Sequence, residues 1–341
     1  MDLTTDETAK ARLELVSIIL AVFALLTLLK LGLLTALLAG LLIYHLVHLV
    51  TPALGNMGVT HSLRKTVALT ILVALITLLL ALGVIKLMNT FNAGLDGIVE
   101  LLKRMAEVVD TAKARLPAWV QAYLPDNTAD MQTAVAGWLR SHASELGTMG
   151  VGAGRFVFYL IIGIVIGGLI AIQTTGGRPP PGPLAMAFIR RARFLSIAFR
   201  NIVFSQIRIS ALNTTFTALY LAVVLPLFDV HLPLVKTMIA VTFIAGLLPV
   251  LGNLISNTVI FIVSLSVSPA VAIAALTYLV VIHKLEYFLN ARIIGGRINA
   301  RAWELLIAMM SMEAAFGVPG LVAAPIYYAY LKEELYARSL I

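Results

Sequence analysis

LELVSIILAVFALLTLLK (residues 13–30) and LGLLTALLAGLLIYHLVHLVT (31–51) are two apolar runs set end to end. A helix of about 20 apolar residues rises about 30 Å, the thickness of a bilayer's hydrocarbon core. Each run has that length, and Lys30 and Gly32 mark a tight turn between them. The pattern continues outward. Pro52, Gly55 and Gly58 break the chain, and further spans are expected at 66–88, 151–173 and 205–228. The segment 151–173 carries Gly163, Gly167 and Gly168, a small-residue surface for close helix approach. Two shorter apolar segments follow, 234–249 and 251–267, then a helix at 270–290 and a last apolar stretch at 303–331. Gly317, Pro319 and Gly320 interrupt that stretch, and Pro325 lies inside it. The fold class expected is an all-α polytopic membrane protein with broken or re-entrant helices in its C-terminal half.

Composition agrees. Of 341 residues, 60% are hydrophobic and 12% charged, against about 45–50% and about 25% in soluble domains. Mean hydropathy is +0.97. These values exclude a disordered chain and argue against a soluble enzyme. There are no cysteines, so disulfides, thiolate metal sites and cysteine nucleophiles are excluded. The net charge of +8 would suggest nucleic acid in a soluble protein. In a membrane protein it points to basic loops at a cytoplasmic face rich in anionic lipid, and no nucleic-acid partner is expected. Asp2, Asp6, Glu7 and Glu14 near the start of the chain do not suit a secretory signal.

The chain divides into spans 1–3 (1–88), an extracytoplasmic amphipathic helical region (89–148), span 4 (149–173), a cytoplasmic loop with a basic interfacial helix (174–204), and a C-terminal bundle (205–341). In the second region Leu95, Leu102, Val109 and Leu116 recur every seven residues with Ile98, Met105 and Ala112 between them. This heptad pattern is read either as packing on the same protomer or as a seam between protomers of a homo-oligomer. In 184–200, Phe188, Ala192, Leu195 and Phe199 form an apolar stripe. Arg190, Arg193 and Arg200 lie elsewhere on the wheel and are expected to contact anionic lipid. The positive-inside rule places this loop, Arg64 with Lys65, and the arginines of 291–303 in the cytoplasm, and the N-terminus with them. The inner membrane is the expected location. The path of 234–341 stays open: 234–267 either spans twice or forms a hairpin, and 303–331 either spans or turns back at Gly317–Gly320.

Three stretches resemble the autoinducer-2 exporter family, also described as PerM-like permeases. FIAGLLPVLGNLI (243–255) is similar to an aliphatic-Pro-x-x-Gly segment in a long broken helix. Leu285-Glu286 followed by NARIIG (290–295) is similar to a stretch at the cytoplasmic end of a helix. FGVPGLVAAP (316–325) is similar to the family's Phe-Gly-x-x-Gly ending. Residues 171–177 (AIQTTGG) replace the aromatic and acidic residues usual there, which marks a distant member. The resemblance implies about eight transmembrane helices, oligomeric assembly, export of a small molecule, and links to sodium or proton exchange.

Broken helices carry polar backbone that membranes tolerate only inside protein or along a cavity. Here Pro249 and Gly252 precede Asn253, Ser256, Asn257 and Thr258. Asn253 and Asn257 are read either as substrate contacts or as interhelical hydrogen-bonding residues; Ser256 and Thr258 favour the latter. Glu313 is the candidate for ion coupling, because an unpaired acid in an apolar helix costs about 3 kcal/mol when ionised. A salt bridge or a water-exposed position is the alternative. Glu286, beside His283, Lys284 and Arg292, reads as part of an interfacial ion-pair network. His45 and His48 read as interfacial anchors. Metal-ligand spacing and a Walker-type phosphate loop are both missing from the sequence, so no metal, cofactor or enzymatic activity is expected. The leading expectation is a secondary transporter exporting a small polar molecule such as autoinducer-2, coupled to protons or sodium. A cation/proton antiporter and a non-transporting oligomeric scaffold are the alternatives.

Overall fold

A computed structural model of the protein describes residues 3–57, 60–92, 143–173, 181–247, 251–293 and 301–340. The heptad pattern of 95–116, Pro249, and the side chains of Glu286 and Arg292 lie outside the described residues. The described chain is helical: α1 (Leu3–Lys30), α2 (Leu34–Val50), α3 (His61–Asn92), α4 (Ala143–Ile172), α5 (Pro183–Leu219), α6 (Val235–Gly246), α7 (Leu251–Val267), α8 (Pro269–Ile293), α9 (Ala302–Phe316) and α10 (Val318–Ala337). Among the described residues, five stretches are long and apolar enough to cross a membrane: Arg12–Lys30, Leu34–Gly55, His61–Leu82, Gly154–Ile172 and Pro183–Leu227. Their outer faces expose Phe23, Leu79 and Leu169, side chains suited to lipid. The protein is therefore a polytopic membrane protein.

The basic segment expected as a separate interfacial helix is continuous with the following span. No Gly or Pro occurs from Leu184 to Leu225, so nothing stops the helix. Its regular ladder changes only near Pro226, which lacks an N–H and crowds the carbonyl four residues earlier. There Tyr220–Val224 forms a π-type turn, followed by one last turn, Leu225–Leu227.

The chain forms two compact units. Unit 1 comprises Met1–Leu79, Val151–Val203 and Gly296–Ile341. One of its cores joins Ile43 and Val47 of α2 to Ala68 and Leu72 of α3 and Ala171 of α4. Another joins Leu25 of α1 to Ala198 of α5 and to Ala329 and Tyr330 of α10. Helices α2 and α4 meet along Gly40, Gly163 and Gly167. A Cβ at Gly163 would strike the Ala36 carbonyl, and one at Gly167 the Gly40 carbonyl. Lipid is as apolar as leucine, so such backbone approach, not exclusion of water, is what joins membrane helices.

Within unit 1, α9 and α10 form a hairpin. The chain reverses at Gly317 (φ 64°, ψ −150°), and Gly320 lets α10 start against the Met312 carbonyl. The 15 residues of α9 rise about 22 Å, short of a full span. The backbone at Gly317 is open only to glycine. Gly317→Ala has no neighbour to strike, so its cost is backbone strain alone, about 1–3 kcal/mol. Thermal unfolding in detergent micelles checks this: a lowered midpoint is expected.

Unit 2 comprises Leu80–Gly150 and Phe204–Gly295. Its core gathers Tyr220, Leu221, Met238, Ile260, Val263, Ala275 and Leu279. The 12 residues of α6 rise about 18 Å and cannot cross the bilayer.

Candidate functional site

Four polar residues of α5 share one face by their spacing: Gln206, Ser210, Asn213 and Thr217. The first three reach the end of α6 and the start of α7. The Gln206 amide donates to the Gly246 carbonyl at 2.7 Å, and the Ser210 hydroxyl to the Phe243 carbonyl at 2.6 Å. These carbonyls belong to the C-terminal turn of α6, and α5 supplies them with side-chain donors. The order of these contacts runs α6 antiparallel to α5. Asn213 Nδ2 then donates to Asn253 Oδ1 at 3.0 Å. Tyr220 and Ile260 share a core further along, so α7 runs parallel to α5. The pair α6–α7 is thus a helical hairpin with its tip at the break. Gly252 is buried there, its missing Cβ leaving room for the Ala245 carbonyl.

Asn213 is 2% exposed and Thr217 fully buried. Thr217 and Asn257 each stand one turn further along their own helices from the Asn213–Asn253 pair. Asn213 Oδ1, Thr217 Oγ1 and Asn257 Oδ1 are buried with no hydrogen-bond partner among the described residues. Such orphans are rare, and each costs about 1–3 kcal/mol. Ser256, by contrast, donates to the Asn253 carbonyl at 3.3 Å, and Thr258, exposed, to the Leu254 carbonyl at 2.8 Å. Both are held by their own helix. On the far side, Tyr278 of α8 stacks on Tyr220 with ring centres 4.0 Å apart and donates to the Phe216 carbonyl at 3.0 Å. A π-type turn at Tyr220 disturbs the regular ladder just where that carbonyl takes an outside donor.

The other expected site residues lie in unit 1 or on its helices. Glu313 is exposed near the tip of the α9–α10 hairpin, and its carbonyl accepts the Gly317 N–H at 2.7 Å. It shares a face with exposed Leu306 and Met310 and makes no ion pair among the described residues. At the hairpin's polar end, outside the five long spans, Glu304 accepts from the Tyr328 hydroxyl at 2.7 Å and pairs with Lys332 at 3.0 Å. The Tyr328 hydrogen bond, then Lys332, holds its carboxyl down at about 2. Arg190, Arg193 and Arg200 are all exposed on α5. His45 contacts both the carbonyl and the hydroxyl of Ser196 at 2.9 Å and stacks on Phe199, tying α2 to α5.

A network around Arg191 was not singled out from the sequence. Arg191 is 4% exposed, and its Nε lies 2.8 Å from Glu334 Oε1. Tyr330 donates to the same Glu334 oxygen at 3.3 Å. Glu14 of α1 pairs with Arg190, and with Arg338 at 3.4 Å. An acid one residue into an apolar run, Glu14, was the available signal. Among the described residues, no three His, Asp or Glu side chains gather as a metal site.

No curated protein and no solved structure matches the chain. A family model does, described as AI-2E family transporter, over residues 15–337. That match takes in most of the first long span, all of the other four, the α6–α7 break and the α9–α10 hairpin, so the resemblance extends well beyond the C-terminal half. The chain is a membrane permease and belongs to the AI-2E transporter family.

Proposed function

We propose that the protein is a secondary transporter that exports a small polar molecule, with the α5–α7 seam as its substrate site. The observation that carries this reading is the set of buried, unpaired oxygens on Asn213, Thr217 and Asn257 beside a broken helix. A hydroxylated molecule such as autoinducer-2 would donate hydrogen bonds to them, and Asn253 would share the amide face. Proton or sodium coupling is assigned to Glu313, an acid among apolar neighbours on an exposed face of α9. A cation/proton antiporter is the second reading, favoured by the fact that amide oxygens also suit a hard cation.

The test is efflux of autoinducer-2 from cells lacking their own exporter. Wild type, Glu313→Gln and empty vector are compared with the proton gradient intact or collapsed. Gradient-dependent efflux that falls at least tenfold, on the order of one proton-coupling contact, in Glu313→Gln is expected. Efflux equal to vector in the wild type would remove the substrate assignment. Sodium-dependent proton movement in membrane vesicles would then favour the antiporter.

A further inference from the structure

Leu13 and Glu14 of α1 and the start of α5 border a cleft of about 480 Å³ in unit 1, within the range of about 300–1,000 Å³ for small-molecule sites. Its apolar wall is Leu13, Pro183, Met186 and Ile189; its charged wall is Glu14, Arg190 and Arg193. We infer that this cleft holds the phosphate of an anionic phospholipid, with Arg193 as its main contact. The inference does not depend on the transport reading.

Charge selects the ligand. Of the charged residues lining the cleft, two arginines, Arg190 and Arg193, face one acid, Glu14. Arg191 is taken by Glu334 in a buried pair, and Glu14 is shared between Arg190 and Arg338. Arg193 is exposed and makes no ion pair among the described residues. The cleft therefore presents surplus positive charge, and a guanidinium fork matches phosphate oxygens. Position selects the source. The first span begins at Arg12, so Leu13 and Glu14 stand at its end, where headgroups lie. From there Leu15, Ile19 and Phe23, spaced four apart and all exposed, form an apolar track along α1 for an acyl chain. A free phosphate would have no use for that track or for the apolar wall.

The experiment follows the thermal unfolding midpoint of the full chain in dodecyl maltoside. Dioleoylphosphatidylglycerol, dioleoylphosphatidylcholine or inorganic phosphate is titrated in. Saturable stabilisation by phosphatidylglycerol alone is expected. Arg193→Gln should raise its half-saturation concentration about fivefold, the effect of about one basic side chain near an anionic headgroup. Arg193→Lys should recover most of the loss. Lys30→Gln, at the other end of α1 and outside the cleft, should leave it unchanged. Native mass spectrometry of retained lipid gives the same comparison independently of stability. Equal stabilisation by phosphatidylcholine, full stabilisation by inorganic phosphate, or an unchanged half-saturation in Arg193→Gln would each overturn the proposal.

Discussion

Arg191→Ala is expected to lower the stability of the folded protein by about 3–5 kcal/mol. The Arg191 and Glu334 side chains are 4% and 6% exposed, and their charged atoms lie 2.8 Å apart. Solvent screens such a pair little. Removing the guanidinium leaves a buried carboxylate whose remaining described contact is the Tyr330 hydroxyl at 3.3 Å. The penalty is that stranded charge, not the loss of a favourable bond. Two consequences separate this account from simple loss of packing. Glu334→Leu alone should be costly too, because it strands Arg191, with Glu14 4.0 Å away as its nearest other acid. The double variant Arg191→Met with Glu334→Leu should recover most of the stability, since replacing both charges by apolar groups removes the desolvation cost. Thermal unfolding in micelles measures all three. Single substitutions with no effect would show that the pair is hydrated.

Gly167→Leu should cost about 3 kcal/mol or more and reduce the amount of folded protein in the membrane. A side chain at Gly167 meets the Gly40 carbonyl and Cα and the Ile43 side chain. The first two are backbone, so no rotamer change relieves the clash. Helices α2 and α4 must then part along Gly40, Gly163 and Gly167, and the core of Ile43, Val47 and Ala171 loosens with them. Gly154 on the same α4 gives the contrast. It has open space around it, so Gly154→Ala should be neutral or stabilise by up to about 1 kcal/mol through helix propensity. Comparing the unfolding midpoints of the two variants tests whether close backbone contact, rather than glycine content, matters in α4.

What could be read from the sequence followed the strength of the local signal. Runs of about 20 apolar residues are a one-dimensional property, and α1 to α4 lie where those runs lie. The joining of the basic segment to the next span was missed because Arg190, Arg193, Arg200 and Arg208 suggested an interface. The lack of any Gly or Pro up to Leu225 carried more weight. Helix lengths add what hydropathy does not show: α6 has 12 residues and α9 has 15, each shorter than the apolar segment read from the sequence.

The polar residues on α7 stood out because an amide inside an apolar run is unusual. Their partners on α5 did not, although Gln206, Ser210, Asn213 and Thr217 have helical spacing. Pairing Asn213 with Asn253 is tertiary information that no single segment contains. The Arg191–Glu334 pair is hidden for the same reason, since its members stand 143 positions apart in the chain. Hydropathy gave Glu313 its prominence, yet it faces outward while the buried ionised groups lie elsewhere.

The central claim is that the buried oxygens of the α5–α7 seam bind a transported molecule. Asn257→Leu tests it most directly, because its two possible roles predict opposite results. Leucine matches asparagine roughly in size and removes an unpaired buried oxygen. If Asn257 only packs, the variant should be as stable as wild type or more so, with unchanged efflux. If it contacts substrate, loss of one hydrogen bond should reduce autoinducer-2 efflux at subsaturating substrate about tenfold, while stability and membrane amount hold. Thr258→Leu, on the exposed face of the same helix, should transport normally. Efflux by Asn257→Leu and Thr258→Leu is the measurement: a loss confined to Asn257→Leu is predicted, and full efflux from both would contradict the site.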